Sequence, residues 1–320
     1  METEMKAVYF MRYGPPEVLE MKEVDTPIPQ ENEILVEIEA RTISMGDCEV
    51  RSFTFPHWIW LPIRLAFGIR KPRNKIIGQD FAGKVVEVGS KVTHFEVGDR
   101  VTGSTDWRMG AYAEYIVRPE SSVIAKIPEG VRMEDAVTLP LGGMNAHTFV
   151  KLGNFKEGDE VLVNGAGGTI GTYVLQLLRN SGIEVTGVDS EEKLGLLQEL
   201  GASQVLDYRK VDFTRLDNKY DGIIDMPGKI NYRRALRCLK EDGRLILTNP
   251  RASALFRSRV SEKVITGIAS EDRKDLETLL EMLATGKIRA VNDKRFALDE
   301  VVAGHEYVES GNKKGNVLLV

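Results

Sequence analysis

The stretch Val161–Val174, VLVNGAGGTIGTYV, decides the fold of this chain. It opens with a short apolar run, part of EVLVNG, which is typical of a buried strand. A cluster of glycines follows, and after it TIGTYVLQLLRNSG has helical spacing of its apolar residues, which share one face: Ile170, Val174, Leu177 and Leu178. The pattern therefore predicts a strand, a tight glycine turn and a helix, in that order.

The glycine turn differs from the GxGxxG dinucleotide fingerprint by one substitution, because Ala166 stands at the first glycine position before Gly168 and Gly171. Small residues let the backbone approach a pyrophosphate, and the helix N-terminus offers unpaired N–H groups to it. Asp189 follows 18 residues after Gly171, at the end of the next apolar run, where an acidic group would meet ribose hydroxyls. This context favours a cofactor loop over a plain strand–helix turn.

The residues after the loop continue to alternate strand and helix patterns. Six strands are predicted, in EVLVNG, EVTGVD, QVLDY, DGIIDM, GRLILTN and KVITGIA, and KLGLLQELG and YRRALRCLK are predicted helices. Such alternation indicates an α/β fold with a doubly wound parallel sheet, the Rossmann arrangement. An amphipathic helix in RKDLETLLEMLATGK and a last strand in GNVLLV are not needed for that sheet, so we expect the C-terminus to return to the first domain.

The first third of the chain is predicted to be rich in β-strands. In ILVEIEA the apolar Val36 and Ile38 alternate with Glu37 and Glu39, which suits a half-buried strand. KVVEVG and AYAEYIV are similar short runs, and FEVGDRV carries a Gly-Asp turn signal.

Composition narrows the class of protein. The chain has 320 residues, enough for two domains, and a net charge of -5, which argues against a nucleic-acid partner. Two cysteines, Cys48 and Cys238, cannot form a disulfide framework and indicate a reducing compartment. METEMKAVYF lacks the pattern of a secretion signal, and no apolar run is long enough to span a membrane. We expect a soluble, cytoplasmic protein.

Seven pieces together resemble the medium-chain dehydrogenase/reductase superfamily, specifically its zinc-free, quinone oxidoreductase-like (zeta-crystallin-like) branch. They run from end to end in the family's order: RYGPPEVLEMKEV, GQDFAGKVVEVGSKV, FEVGDRV, AYAEYIV, LPLGGMNAHTFV, GDEVLVNGAGGTIG and GNVLLV. The resemblance implies a β-rich, GroES-like catalytic domain over residues 1–123, a Rossmann domain over 124–268, and a segment 269–320 that returns to the catalytic domain. It also implies a homodimer.

The same resemblance predicts that no zinc is bound. Zinc-dependent relatives have Gly-His-Glu where this chain has Gly78, Gln79 and Asp80, and Ser44 aligns with their cysteine ligand. Quinone-reductase-like members usually have Asn at that position, so Ser44 departs from both groups. Cys48 is out of register, and LPLGGMNAHTFV has no cysteine. A site without thiolate or imidazole ligands does not hold zinc.

Without a Lewis acid, the expected reaction is NAD(P)H-dependent reduction of an acceptor that takes hydride readily, namely a quinone or an α,β-unsaturated carbonyl. The substrate would be a small hydrophobic electrophile. Candidate catalytic residues are Ser44, Asp47 and Asn145, whereas His147 is interpreted as a packing residue. Three alternatives stay open: an enoyl or alkenal reductase, an alcohol dehydrogenase-like enzyme, and a cofactor-binding structural or sensor protein without turnover.

The choice between NADH and NADPH is undecided. Asp189 favours NADH, since a carboxylate repels a 2′-phosphate. Lys193 and Tyr208 match positions that bind the 2′-phosphate in NADPH-using relatives, and Ser190 adds a hydroxyl. The predicted cofactor-binding residues are Gly165, Ala166, Gly168, Thr169, Ile170, Gly171, Asp189, Ser190, Lys193, Tyr208 and Asn249.

The segment Ser52–Arg73 is unusually rich in aromatic residues and ends in basic ones. Packing on its own domain is the simplest interpretation, and a lid over a large apolar substrate is the next. Contact with a membrane surface and a subunit interface are the remaining two.

Overall fold

The computed structural model describes residues 3–217, 219–228, 230–249, 261–267 and 272–320. The chain divides into two compact units. The first contains residues 1–141, 271–284 and 290–320, and the second contains residues 142–270 and 285–289. The first unit runs past the boundary predicted after residue 123, and it includes most of the C-terminal segment.

The first unit is built mainly from antiparallel strands, as the alternating patterns predict. With elements numbered along the whole chain, its strands are β1 (Glu4–Phe10), β2 (Leu19–Asp25), β3 (Glu33–Thr42), β4 (Asp80–Val88), β5 (Arg100–Ser104), β6 (Tyr115–Pro119), β7 (Ile124–Lys126), β14 (Asn292–Phe296) and β15 (Asn316–Leu319). β1 and β2 form a hairpin. The others form a seven-stranded sheet in the order β14-β15-β3-β4-β5-β7, with β6 also paired to β3.

Helices of the first unit are α1 (Met45–Ser52), α2 (His57–Phe67), α3 (Met133–Ala136), α8 (Arg273–Ala284) and α9 (Val301–Glu309), with 3₁₀ turns at Pro16–Val18, Asp106–Arg108 and Leu298–Glu300. Two apolar cores cover the sheet, and one of them joins α1 and α9 through Cys48, Val50, Val301 and Val308. The aromatic segment, for which no element was predicted, contains α2. No helix in the described part of the chain has the length and hydropathy needed to cross a bilayer.

The second unit has the predicted α/β arrangement. Its elements are α4 (Met144–Gly153), β8 (Glu160–Asn164), α5 (Thr169–Asn180), β9 (Glu184–Asp189), α6 (Glu191–Glu199), β10 (Gln204–Asp207), a 3₁₀ turn (Phe213–Arg215), β11 (Tyr220–Asp225), α7 (Tyr232–Arg237), β12 (Leu239–Leu247) and β13 (Val264–Thr266). The six strands are parallel, in the order β10-β9-β8-β11-β12-β13. The doubly wound sheet is therefore confirmed.

The strand order reverses between β8 and β11, where ligands bind in open parallel sheets. Asn164 and Asp225 mark the carboxyl ends of these strands, and the Asn164 Nδ2 donates to the Asp225 Oδ1 at 2.7 Å. One boundary was wrong. YRRALRCLK was predicted to be helical throughout, but α7 ends at Arg237 because Leu239 and Lys240 already belong to β12.

Candidate functional site

The glycine loop connects β8 to α5 at the switch point of the parallel sheet. Its left-handed residue is Gly165, with φ +79°, and the N–H groups of Gly165 and Ala166 both donate to the Val188 carbonyl, at 2.9 and 3.2 Å. Ala166 itself is fully buried and has no positive φ. Because the turn takes its unusual backbone angle at Gly165, the next position accepts a methyl group.

The other two positions of the fingerprint meet different demands. A Cβ on Gly168 would have only the Gly165 carbonyl nearby, at 3.6 Å, which leaves the loop surface open to a ligand. A Cβ on Gly171 would lie 2.5 Å from the Gly165 carbonyl oxygen and 2.7 Å from the Ala166 Cα. Gly171 therefore allows close contact between α5 and the loop, whereas Gly168 allows a pyrophosphate to approach.

Asp189, at the end of β9, binds the glycine loop rather than standing free. Its Oδ2 accepts the Gly167 N–H at 2.8 Å, and its Oδ1 accepts the Ser190 N–H at 2.8 Å. The Lys193 Nζ lies 3.3 Å from Oδ1, and both side chains are about one-tenth exposed. The carboxylate thus braces the loop, and a nearly buried lysine neutralises its charge.

Other predicted cofactor residues surround this brace at different depths. Ser190 is buried at the start of α6, and Thr169 and Ile170 are half-buried in the first turn of α5. Tyr208 follows β10 with its side chain 55% exposed, and Asn249 is exposed beyond the end of β12.

A polar cluster at the start of α1 brings together two predicted catalytic residues. Ser44 is the N-cap of α1, and its hydroxyl donates to the Asp47 Oδ2 at 2.6 Å. The Ser44 N–H donates to the same oxygen at 2.8 Å, while the Asp47 N–H donates back to the Ser44 Oγ at 3.1 Å. This reciprocal arrangement is a capping box, so the local sequence itself orients the Asp47 carboxyl.

Gln79, just before β4, extends the cluster. Its Oε1 lies 3.2 Å from the Ser44 Oγ, and its Nε2 donates to none of the residues that the structure describes. We call Ser44, Asp47 and Gln79 the Ser44 cluster. It presents a hydroxyl and an amide, which are neutral donors for a substrate oxygen.

The Asp47 carboxyl of the cluster and the neighbouring Asp80 carboxyl are buried. Burial raises the pKa of Asp47 to about 6, although the hydrogen bonds from Ser44 oppose the shift. Burial likewise raises the pKa of Asp80 well above its ordinary value, and the nearby Asp47 adds to the shift. Thr42 Oγ1 donates to the Asp80 Oδ2 at 2.7 Å. Asp47 can therefore hold or release a proton near neutral pH.

Asn145, the third predicted catalytic residue, lies half-buried on α4 of the second unit, and His147, two residues further along this helix, is also half-buried. The structure therefore groups Ser44 with Asp47 in one unit, and places Asn145 in the other. Their roles stay predictions.

Two family models match the chain: one described as alcohol dehydrogenase GroES-like domain matches residues 30–129, and one described as zinc-binding dehydrogenase matches residues 200–319. A 2-methylene-furan-3-one reductase of Solanum lycopersicum is 29% identical, over 99% of this chain and 79% of its own length. An NADPH-dependent alkenal/one oxidoreductase of Arabidopsis thaliana is 28% identical over the same shares. The solved structure of a quinone oxidoreductase from Coxiella burnetii superposes with a TM-score of 0.89, at 27% identity over 99% of both chains.

Together these matches support the quinone oxidoreductase-like branch of the medium-chain dehydrogenase/reductase superfamily for this chain. In this superfamily a catalytic zinc is the first group to test. Ser44 and Gln79 stand at two ligand positions, and the Ser44 Oγ lies within hydrogen-bond distance of both the Asp47 Oδ2 and the Gln79 Oε1. The Cys48 Sγ lies instead in the core, 3.3 Å from the His305 Nδ1, where burial raises the pKa of the thiol.

Elsewhere in the described residues, no group of three or more His, Cys, Asp or Glu side chains could hold a metal ion. A neutral hydroxyl and a neutral amide do not replace the thiolate and imidazole that zinc requires. The donor set of the Ser44 cluster therefore does not fit the metal of zinc-dependent superfamily members.

Sequence reasoning did not propose Gln79 as a functional residue, since it was considered only as a missing ligand. It also missed Asp80 and Tyr112, which complete the buried surroundings of Asp47. The available signal was the polar pair Gln79–Asp80 at the start of a buried strand.

Proposed function

We propose that this protein transfers a hydride from NADPH to a quinone or an α,β-unsaturated carbonyl, without a zinc ion. The observation that carries the proposal is the Ser44 cluster, in which a hydroxyl and an amide stand at two metal-binding positions of zinc-dependent relatives, beside a carboxyl of raised pKa. The relatives named as furanone, alkenal/one and quinone reductases support the same class of reaction.

When bound, the reduced nicotinamide supplies the hydride. An electron-poor acceptor takes that hydride at carbon and develops negative charge on oxygen. The Gln79 amide can donate a hydrogen bond to that oxygen, which lowers the barrier by electrostatic stabilisation. When Asp47 is protonated it can donate to the Ser44 Oγ, 2.6 Å away, and the Ser44 hydroxyl is then free to donate to the same oxygen. A proton passes from Ser44 to the oxygen as Asp47 returns one to Ser44, and the buried Asp47 regains its proton through the Ser44 hydroxyl.

NADPH is the proposed cofactor because the Asp189 carboxylate is already engaged. Both of its oxygens accept backbone N–H groups, and Lys193 neutralises it. Asp189 therefore repels a 2′-phosphate weakly and has little capacity left for ribose hydroxyls. Lys193 and the exposed Tyr208 would contact the 2′-phosphate, in keeping with an NADPH-dependent relative.

We place the enzyme in the cytoplasm as a homodimer. Both thiols, Cys48 and Cys238, are free and buried, which agrees with a reducing compartment. The dimer follows from the family alone.

The proposal is tested by following the loss of reduced-cofactor absorbance after dialysis against a chelator. NADPH and NADH are run side by side, each with a bulky ortho-quinone and an enone. We expect turnover with NADPH, and Ser44→Ala to lower kcat about 100–1000-fold through the lost donor. In the wild type, kcat should fall as pH rises above about 6, following the raised pKa of Asp47, and Asp47→Asn should lack that fall.

Cofactor binding without turnover on any acceptor would instead favour a binding protein without catalytic activity. Equal kcat in Ser44→Ala and wild type would remove the Ser44 cluster from the reaction.

A further inference from the structure

The outer surface of α2 and its surroundings exposes large apolar side chains that no described part of the chain covers. Trp60 is 40% exposed, Leu61 61%, Leu65 49%, Ile69 62% and Trp107 65%. We call these five residues the α2 patch. Contiguous exposed apolar groups of this size usually mark an interaction site.

Side-chain contacts with the core of the first unit hold α2, and with it the α2 patch, in place. Phe67, on the inner face of α2, is buried in the core of the first unit, and its ring meets Trp107 edge-on at 6.0 Å. The Arg64 guanidinium stacks on Tyr13 and Phe53, with 4.1 and 4.3 Å to the ring centroids. The Tyr13 hydroxyl lies 3.0 Å from the Phe67 carbonyl, which fixes the end of the helix.

Charge around the patch is strongly one-sided. The chain carries a net charge of -5, yet no Asp or Glu occurs from Val50 to Gln79. Four cations that follow α2 are exposed and have no carboxylate partner among the described residues: Arg70, Lys71, Arg73 and Lys75. Asn74 Nδ2 donates to the Arg108 carbonyl at 2.7 Å, so this basic loop is joined to the turn that carries Trp107.

We infer that the α2 patch and its basic loop dock the protein on the surface of an anionic lipid bilayer. Tryptophan rings settle at the boundary between headgroups and acyl chains, where leucine and isoleucine side chains enter the apolar layer. Adjacent lysines and arginines attract anionic headgroups. The patch offers both parts on one surface. The neighbouring carboxylate, Asp106 beside Trp107, is paired with Arg118 at 2.9 Å.

The bilayer explains the charge pattern better than a second copy of this chain would. A twofold interface places a surface patch against the identical patch of its partner. Here that contact would bring Arg70, Lys71, Arg73 and Lys75 of both copies together without a counter-ion from this segment. An anionic surface neutralises the same four cations. The inference does not depend on the proposed reaction.

The test is co-sedimentation of the full chain with vesicles of phosphatidylcholine alone, or with roughly a third phosphatidylglycerol. We expect binding to the anionic vesicles at low salt, weaker binding near about 0.15 M salt, and little binding to neutral vesicles. Emission of the tryptophans should shift to shorter wavelength on binding. No sedimentation with anionic vesicles at low salt would overturn the inference.

Paired variants separate the patch from general charge and apolarity. Lys71→Glu/Arg73→Glu should weaken binding at least about tenfold, while Lys151→Glu/Lys156→Glu, with the same change in net charge on exposed residues elsewhere, should bind as the wild type does. Leu61→Ser/Leu65→Ser should also weaken binding about tenfold, unlike Ile28→Ser/Val97→Ser, which alters apolar residues elsewhere that are at least as exposed.

Circular dichroism checks that all four double variants are folded. If they are, an equal loss of vesicle binding in a variant and its matched control would contradict the docking surface. The inference also fails if vesicles do not bind and sedimentation velocity shows that Leu61→Ser/Leu65→Ser dissociates a dimer. In that case the patch is a subunit interface.

Discussion

The glycine loop keeps the dinucleotide fingerprint of the family with one substitution, whereas the Ser44 cluster keeps neither of the ligands that zinc-dependent members carry at those positions. The two regions differ in what a ligand would contact. The loop offers backbone and space, so a methyl group at Ala166 is accepted once Gly165 takes the left-handed angle. The cluster offers side chains, so replacing them changes the chemistry without changing the fold.

The largest effect is expected from a substitution in the glycine loop. Gly171→Ala places a Cβ 2.5 Å from a backbone oxygen that cannot move aside, so α5 must shift away from the loop. We expect a loss of about 3 kcal/mol in the free energy of unfolding, together with loss of measurable NADPH binding. Urea denaturation and fluorescence titration with NADPH check the two effects. Near-normal affinity would show that the loop does not require its third glycine.

The next effect belongs to the Ser44 cluster. Because burial raises the folded-state pKa of Asp47 from 3.8 to about 6, the folded protein binds a proton more tightly than the unfolded chain does. The protonated Asp47 therefore contributes about 3 kcal/mol to the free energy of unfolding. This contribution is fully present below about pH 4 and is lost as pH rises through 6.

The Asp47→Asn variant has no group to titrate at this position. As pH rises over the same range, its free energy of unfolding should therefore fall less than that of the wild type. Because the Asp47 charge also raises the pKa of Asp80, the difference contains this coupling as well as the titration of Asp47. Urea unfolding at a series of pH values measures this difference, and parallel curves for the two proteins would mean that Asp47 is not buried as described.

A smaller effect sharpens the cofactor side of the comparison. Lys193→Met removes the cation beside Asp189, and we expect the Kd for NADPH to rise about 10–100-fold. The Kd for NADH should change far less. Lys210→Met is the matched control, since Lys210 also pairs with a carboxylate at the start of α6, Glu191, but is exposed. Titration of both cofactors decides the matter: a larger loss for NADH than for NADPH would reverse the cofactor assignment.

The smallest effect has the opposite sign to the first. Gly195 lies inside α6, and a Cβ there would meet nothing within 4 Å. Gly195→Ala should therefore raise the free energy of unfolding by about 0.5–1 kcal/mol, because alanine loses less backbone freedom in a helix. Thermal unfolding measures it. A loss of stability would show that the space around α6 is not open.

Most of the fold was accessible from sequence because apolar periodicity alone distinguishes the strands of the parallel sheet from α5 and α6. The end of α7 could not be predicted, because Leu239 and Lys240 suit a helix locally and belong to β12 only through its pairing with β11. Helix α2 was not predicted either, because its aromatic and aliphatic residues have no clear period. Its inner face is set by contacts with the nearby Phe53 and with Tyr13, which is distant in sequence.

The site was predicted in part. The loop residues follow from a local motif, whereas Ser44 and Asp47 were named from the family resemblance. Their capping box, which joins residues only three apart, was not predicted. The engagement of Asp189 by Gly167 and Lys193 could not be predicted, because it depends on how the loop folds back against β9. The same holds for Gln79, which is 35 residues from Ser44.

The central claim is that the Ser44 cluster supports hydride transfer without zinc. The direct measurement is zinc content by mass spectrometry on the same chelator-dialysed sample whose NADPH-dependent quinone reduction is assayed, before and after zinc is added back. We predict substoichiometric zinc, full turnover and no gain on adding the metal. Turnover that is lost with the chelator and restored by zinc would contradict the account.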